Sequence, residues 1–120
     1  MKLIEADNKE CILNYLIETD FGTFGAVEVG YGEESEMLII KKDDEFAIAN
    51  CIIYGSRGSW TYGEINIAGE LCCYYTKENG ELDIEKAKME IEKVVQFICD
   101  MHDRASSGDD ETYDIIYKYL

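Results

Sequence analysis

Apolar positions along this chain change period near residue 80, from alternation in twos to steps of three and four. Before that point, Val27, Val29 and Tyr31 alternate with Glu28 and Gly30, which predicts a half-buried strand with Glu28 on its polar side. Gly32 to Glu36 reads as an acidic turn. Met37 to Ile40 is a short apolar run ending in Lys41-Lys42, and Asp43-Asp44-Glu45 turns the chain back. Phe46 to Tyr54 is apolar on both faces, as a central strand would be. Glu64 to Ile67 alternates again, and Leu71 to Thr76 predicts another strand, ended by Asn79-Gly80. Five strands joined by short turns over residues 25 to 76 read as an antiparallel meander.

Upstream, Asp7-Asn8 is a good helix cap, and Cys11, Ile12, Tyr15 and Leu16 follow at helical spacing. A short helix over residues 8 to 18 is expected, with a strand over the same apolar run as the rival. Asp20 to Gly25 reads as a loop.

Beyond residue 80, Asp83 is placed as an N-cap, with Glu85 where a helix dipole favours negative charge. Ile84, Ala87, Ile91, Val94, Val95, Ile98 and Met101 then form one stripe. This predicts a helix over 83 to 106, with Ile84, Ile91, Val95 and Ile98 buried on the sheet. Glu85, Lys86, Glu90, Glu92, Lys93 and Asp100 make the solvated face. Ser106-Ser107-Gly108 breaks the helix, and Asp109-Asp110 caps a second, short one whose Tyr113, Ile116, Tyr117 and Leu120 share a face. Too short to be stable alone, it must dock on its own sheet or on another copy of the chain. The expected fold class is α+β: an antiparallel β-meander, a long C-terminal helix and a short terminal helix, in a single domain over residues 1–120.

Charge narrows the function. Twenty-six acidic against eleven basic residues give a formal net charge of −15. Such a field repels nucleic-acid backbones and anionic membranes, so no DNA, RNA or membrane partner is expected. The acid either forms a surface for something basic or keeps the protein soluble. The acids are interleaved with Ile, Val, Tyr and Cys, which argues against disorder. No apolar run approaches the roughly 18 residues that span a bilayer. The N-terminus turns acidic too soon for a signal peptide, and a cytoplasmic location is expected.

Catalytic and metal chemistry find little to stand on. The five cysteines form no C-x-x-C pair and, with a single histidine, point to buried thiols rather than zinc. Cys99 and His102 are neighbours on the long helix, yet Asp100 and Asp103 deny the cysteine the positive surroundings a thiolate needs. Asp43-Asp44-Glu45 lacks the ligand spacing of a calcium loop. Nothing matches a P-loop, a dinucleotide fingerprint or a nucleophile elbow. The expectation is a protein that is not an enzyme and takes no cofactor.

One stretch does stand out, Tyr54-Gly55-Ser56-Arg57-Gly58-Ser59-Trp60-Thr61-Tyr62-Gly63. It holds one of the two arginines, the only tryptophan and three of the ten glycines. Its serines and backbone N–H groups can donate to an anion, Arg57 offers a planar fork that matches a phosphate, and Trp60 and Tyr62 can stack on a base. Arg104, beside His102 and Ser106-Ser107, would supply a second charge if the two regions meet within one protomer or across an interface. The candidate ligand site is therefore Gly55, Ser56, Arg57, Gly58, Ser59, Trp60, Tyr62 and Arg104. The alternative is an ordinary hairpin loop whose Trp60 closes one end of the core.

In overall layout, and in Arg57 within its glycine loop with Arg104 as second phosphate contact, the chain resembles the phage anti-Thoeris signal-sequestering "sponge" proteins. The resemblance implies a sheet followed by C-terminal helices, homo-oligomers, and pockets between protomers. Those pockets would hold a small cyclic nucleotide, a cyclic ADP-ribose isomer or a cyclic oligonucleotide, without cleaving it, in the host cell cytoplasm. The reading from another class is an acidic mimic that blocks a basic site on a nuclease, of the anti-CRISPR, anti-restriction or toxin-immunity type.

Overall fold

The computed structural model describes residues 1–6, 13–29, 34–41, 47–56, 59–67, 79 and 83–117. The strands are β1 (Lys2–Glu5), β2 (Tyr15–Thr19), β3 (Gly22–Val29), β4 (Glu34–Lys41), β5 (Ala47–Ser56), β6 (Ser59–Tyr62) and β7 (Asn66–Ile67). Two helices follow, α1 (Ile84–Ser106) and α2 (Asp110–Ile116). β1 to β6 pair in chain order, all antiparallel, and β7 also pairs with β5. The α+β meander-then-helices architecture expected from the sequence is what the chain adopts.

The inner face of the sheet carries Tyr15, Ile17, Phe24, Ala26, Met37, Ile39, Cys51 and Ile53, which form one cluster with the buried side of α1. Ile91, Val95 and Ile98 are at most 1% exposed, so three of the four predicted helix anchors lie in the core. The fourth does not. Ile84, in the first turn of α1, is 47% exposed, and the buried stripe begins at Ala87. Asp83 caps α1 by accepting from the Lys86 amide at 3.0 Å, and Asp109 caps α2 through the Thr112 amide. Gly108, at φ +104, lets the chain reverse between the helices. α2 docks at home: Ile116 is fully buried, and the helix packs against α1 and β1.

Several local expectations are corrected. The helix over 8 to 18 is not formed at its C-terminal end, where Tyr15–Thr19 is β2, the rival reading. Tyr15 and Ile17 point into the core while Glu18 is exposed, and ladders on both sides override the helical spacing. Residues 7–12, with Cys11, lie outside the described residues. The loop expected over Asp20 to Gly25 shrinks to Asp20-Phe21, because Thr19 already pairs with Gly22. Thr19 Oγ1 closes that turn, donating to the Gly22 carbonyl at 2.6 Å and accepting from the Phe21 amide. β4 begins within the expected acidic turn, at Glu34. The sheet begins at Lys2 rather than near residue 25. The turn at Asp43-Asp44-Glu45, the strand at Leu71 to Thr76, Cys72, Cys73, Tyr31 and Leu120 lie outside the described residues.

Two register shifts shape the sheet. Ile39 pairs with Ala49 but Ile40 with Ala47, so Ile48 is the extra residue of a bulge, and Ile48 and Ala49 are both buried. On the other side of β5, Ile53 faces Tyr62 and Asn50 faces Asn66. Gly63, Glu64 and Ile65 therefore stand opposite only Cys51 and Ile52. β6 and β7 are one strand interrupted by this bulge, which explains why the alternation expected over Glu64 to Ile67 yields a ladder only at Asn66–Ile67.

Candidate functional site

The glycine-rich stretch is a hairpin more than a loop. Tyr54 pairs with Thr61, Gly55 with Trp60 and Ser56 with Ser59, so eight of its ten residues belong to β5, β6 or the residue after β6. Arg57 and Gly58 lie outside the described residues. Ser59 is exposed. Gly55 serves a different purpose from turn-making: a Cβ there would sit 2.6 Å from Cε2 and Cζ2 of the Trp60 indole. The indole lies on the Gly55 backbone, and only glycine leaves room for it.

The hairpin does meet the end of α1, as the placement of Arg104 required. The Trp60 amide donates to Asp103 Oδ1 at 2.8 Å, and the indole N–H donates to Ser106 Oγ at 3.3 Å. Trp60 also stacks on the His102 ring, with centroids 4.5 Å apart and planes 33° off parallel. Tyr62 is tied to the same helix, its hydroxyl donating to Glu92 at 2.9 Å. Arg104 is exposed on the last turn of α1, near enough to Asp109 to help hold that carboxyl below the usual range; the Thr112 hydrogen bonds do most of this. The two regions thus come together, but the aromatic surfaces offered for stacking are already engaged by the protein. A carboxylate, Asp103, takes the Trp60 N–H that an anion would have needed. Trp60 is half-buried and packs against the core cluster.

Beneath Trp60 lies a polar cluster that sequence reasoning missed. Glu28, expected on the polar side of its strand, is 5% exposed and faces the helices. His102 Nε2 is 2.6 Å from Glu28 Oε1, and the Tyr15 hydroxyl donates to the same oxygen at 3.1 Å. The other imidazole nitrogen, Nδ1, is 2.8 Å from the Tyr117 hydroxyl. Asn14 Oδ1 accepts the Glu28 amide at 2.8 Å. A carboxylate in the core is tolerated because each partner is itself a buried hydrogen-bonding group. Burial first, then the Glu28 charge, pushes the Tyr15 phenol well above its ordinary value and Tyr117 up to about 12. The available signal was an acidic residue breaking an apolar run and a lone histidine on an apolar helix stripe.

His102 therefore has both nitrogens committed, and Cys99 has no base. The Cys99 thiol, buried beside Cys51, is pushed up to about 12, and Cys51 to about 11 by its own burial. Neither is a thiolate nucleophile at neutral pH. Among the described residues no group of three or more His, Cys, Asp or Glu side chains is placed to hold a metal ion. No helix among them is long and apolar enough to cross a membrane.

The opposite face of the sheet carries a groove of about 380 Å3, lined by Glu36 of β4, by Asn50, Ile52 and Tyr54 of β5, and by Glu64 and Asn66 around the bulge. Ile52 and Tyr54 are 37% and 40% exposed. The Gly63 amide donates to the Ile52 carbonyl at 2.9 Å, and the Tyr54 ring packs over Gly63. Among the described residues the Glu36 and Glu64 carboxylates form no ion pair, and the Asn50 and Asn66 carboxamides have no hydrogen-bond partner. Comparison with protein-family models, with curated proteins and with solved structures returns no match.

Proposed function

We propose that this chain is a non-catalytic binding protein whose acidic outer face occupies a basic site on a nucleic-acid-handling enzyme such as a nuclease. The observation that carries the reading is the outer groove, where two carboxylates with no ion pair among the described residues flank exposed Ile52 and Tyr54. An apolar centre rimmed by one sign of charge is the anatomy of a protein interface, and a net charge of −15 steers a basic partner toward it. The buried thiols and the fully committed histidine support a role without covalent chemistry. The test is competition. Purified basic nucleases should bind the protein, lose duplex DNA in doing so, and release the protein as salt rises. Failure of every such nuclease to bind at low salt would overturn the reading.

Sequestration of a cyclic nucleotide is the second reading, favoured by one observation: the Trp60 bonds to Asp103 and Ser106 bring the turn that bears Arg104 beside the hairpin. Calorimetry with cyclic ADP-ribose isomers tests it. Binding that Arg104→Ala weakens would support sequestration, and absence of binding would remove it.

A further inference from the structure

We propose that the outer groove is a receptor for a single arginine side chain of the protein partner. This rests on the reading of the outer face as a surface for a basic protein. The groove presents two carboxylates, Glu36 and Glu64, and two carboxamides, Asn50 and Asn66, none with a side-chain partner among the described residues. Among the described residues it presents no cation. The carboxylates can only accept and the carboxamide oxygens can accept beside them, a set that suits a charged ligand made of donors. Among protein side chains the guanidinium has five N–H groups in a plane and no acceptor. An ammonium is a more strongly hydrated point charge with three donors, and matches a spread of four acceptor groups less well.

The walls add a second argument. The Tyr54 ring, held against Gly63, and the Ile52 side chain, opposite Glu36 in the ladder, give an aromatic face and an aliphatic surface on the same side of the sheet. A guanidinium stacks on such a ring while the methylenes behind it cover aliphatic surface. The bulge at Gly63 to Ile65 supplies the last element, because an extra residue in one strand re-aims the side chains beside it. Without it Glu64 would continue the ladder opposite Cys51. The bulge sits where the carboxylates, the ring and the carboxamides line one groove.

The test uses the full chain and three short peptides identical except at one position, which holds arginine, lysine or citrulline. Amide chemical shifts are followed on titration. Saturable shifts at Gly63, Glu64 and Asn66 with the arginine peptide are expected, weaker with lysine and absent with citrulline, which keeps the shape and loses the charge. Glu36→Gln with Glu64→Gln should weaken the arginine peptide at least tenfold. Glu85→Gln with Asp114→Asn, which removes the same charge from exposed helix positions, should change it less than about threefold, the scale of long-range screened charge. Equal losses from both pairs, or citrulline binding as well as arginine, would overturn the arginine receptor. If basic nucleases still bind and the groove variants leave them unaffected, the receptor falls while the acidic-surface reading stands. If neither peptide nor nuclease binds, both fall.

Discussion

Glu28 shows how much one residue can decide. Its carboxylate holds Tyr15 of β2 and His102 of α1 together, and His102 passes the link on to Tyr117 beyond α2. Glu28→Ala leaves buried donors on both partners unsatisfied, each costing about 1–3 kcal/mol. Urea denaturation should show a loss of that order, and Glu28→Gln, which keeps an acceptor for the imidazole N–H, should lose less. Equal stability in Glu28→Ala would mean water replaces the carboxylate without cost. The two described thiols give a prediction in pH. Burial raises both above an ordinary value near 9, so the folded state holds protons that the unfolded state releases. Stability from this source is intact below about pH 9 and declines as pH climbs toward about 11 to 12. Cys51→Ala with Cys99→Ala should flatten that alkaline decline, read as midpoint against pH.

Among elements, α1 is the one the rest is arranged around. Its buried stripe runs from Ala87 to Ala105, and Ile91 is fully buried. Ile91→Ala should cost about 2–5 kcal/mol, while Ile84→Ala, at a half-exposed site in the first turn, should cost much less; thermal melts of the two side by side check the contrast. The hairpin of β5 and β6 is pinned to α1 through Trp60, whose ring has His102 against it and Gly55 beneath it. Gly55→Ala would force the indole off this seat at a cost of about 1–3 kcal/mol. Because Trp60 is the chain's one tryptophan, its fluorescence should shift toward the wavelength of exposed indole. An unchanged spectrum would show that the ring is not packed on Gly55.

At the scale of the whole molecule, charge is the dominant fact. A net charge of −15 on 120 residues destabilises the compact state through self-repulsion. Raising ionic strength from about 10 mM to about 0.5 M shortens the Debye length from about 30 Å to a few Å and should raise the melting temperature. A fall instead would show that local attractions outweigh the repulsion. The same salt that steadies the free protein should weaken its complex with a basic partner, so the two effects carry opposite signs in one experiment.

The sequence by itself determined the two C-terminal helices, their caps, the reversal at Gly108, and the presence and antiparallel order of the central strands. Each of these is written in residues close together along the chain: a stripe at three- and four-residue steps, an Asp before it, a glycine after it. What only the tertiary structure decided involves partners far apart. Tyr15–Thr19 is a strand because β1 and β3 lie on either side of it, although its local spacing suits a helix equally well. Glu28 turns inward because His102, 74 positions later, comes to meet it. Gly55, a candidate ligand-site residue in sequence, proves to be the bed of an indole five residues on, which only the hairpin register reveals. The outer groove rests on a one-residue slip between β5 and its partner strand, and a register is a property of the pair rather than of either strand's sequence.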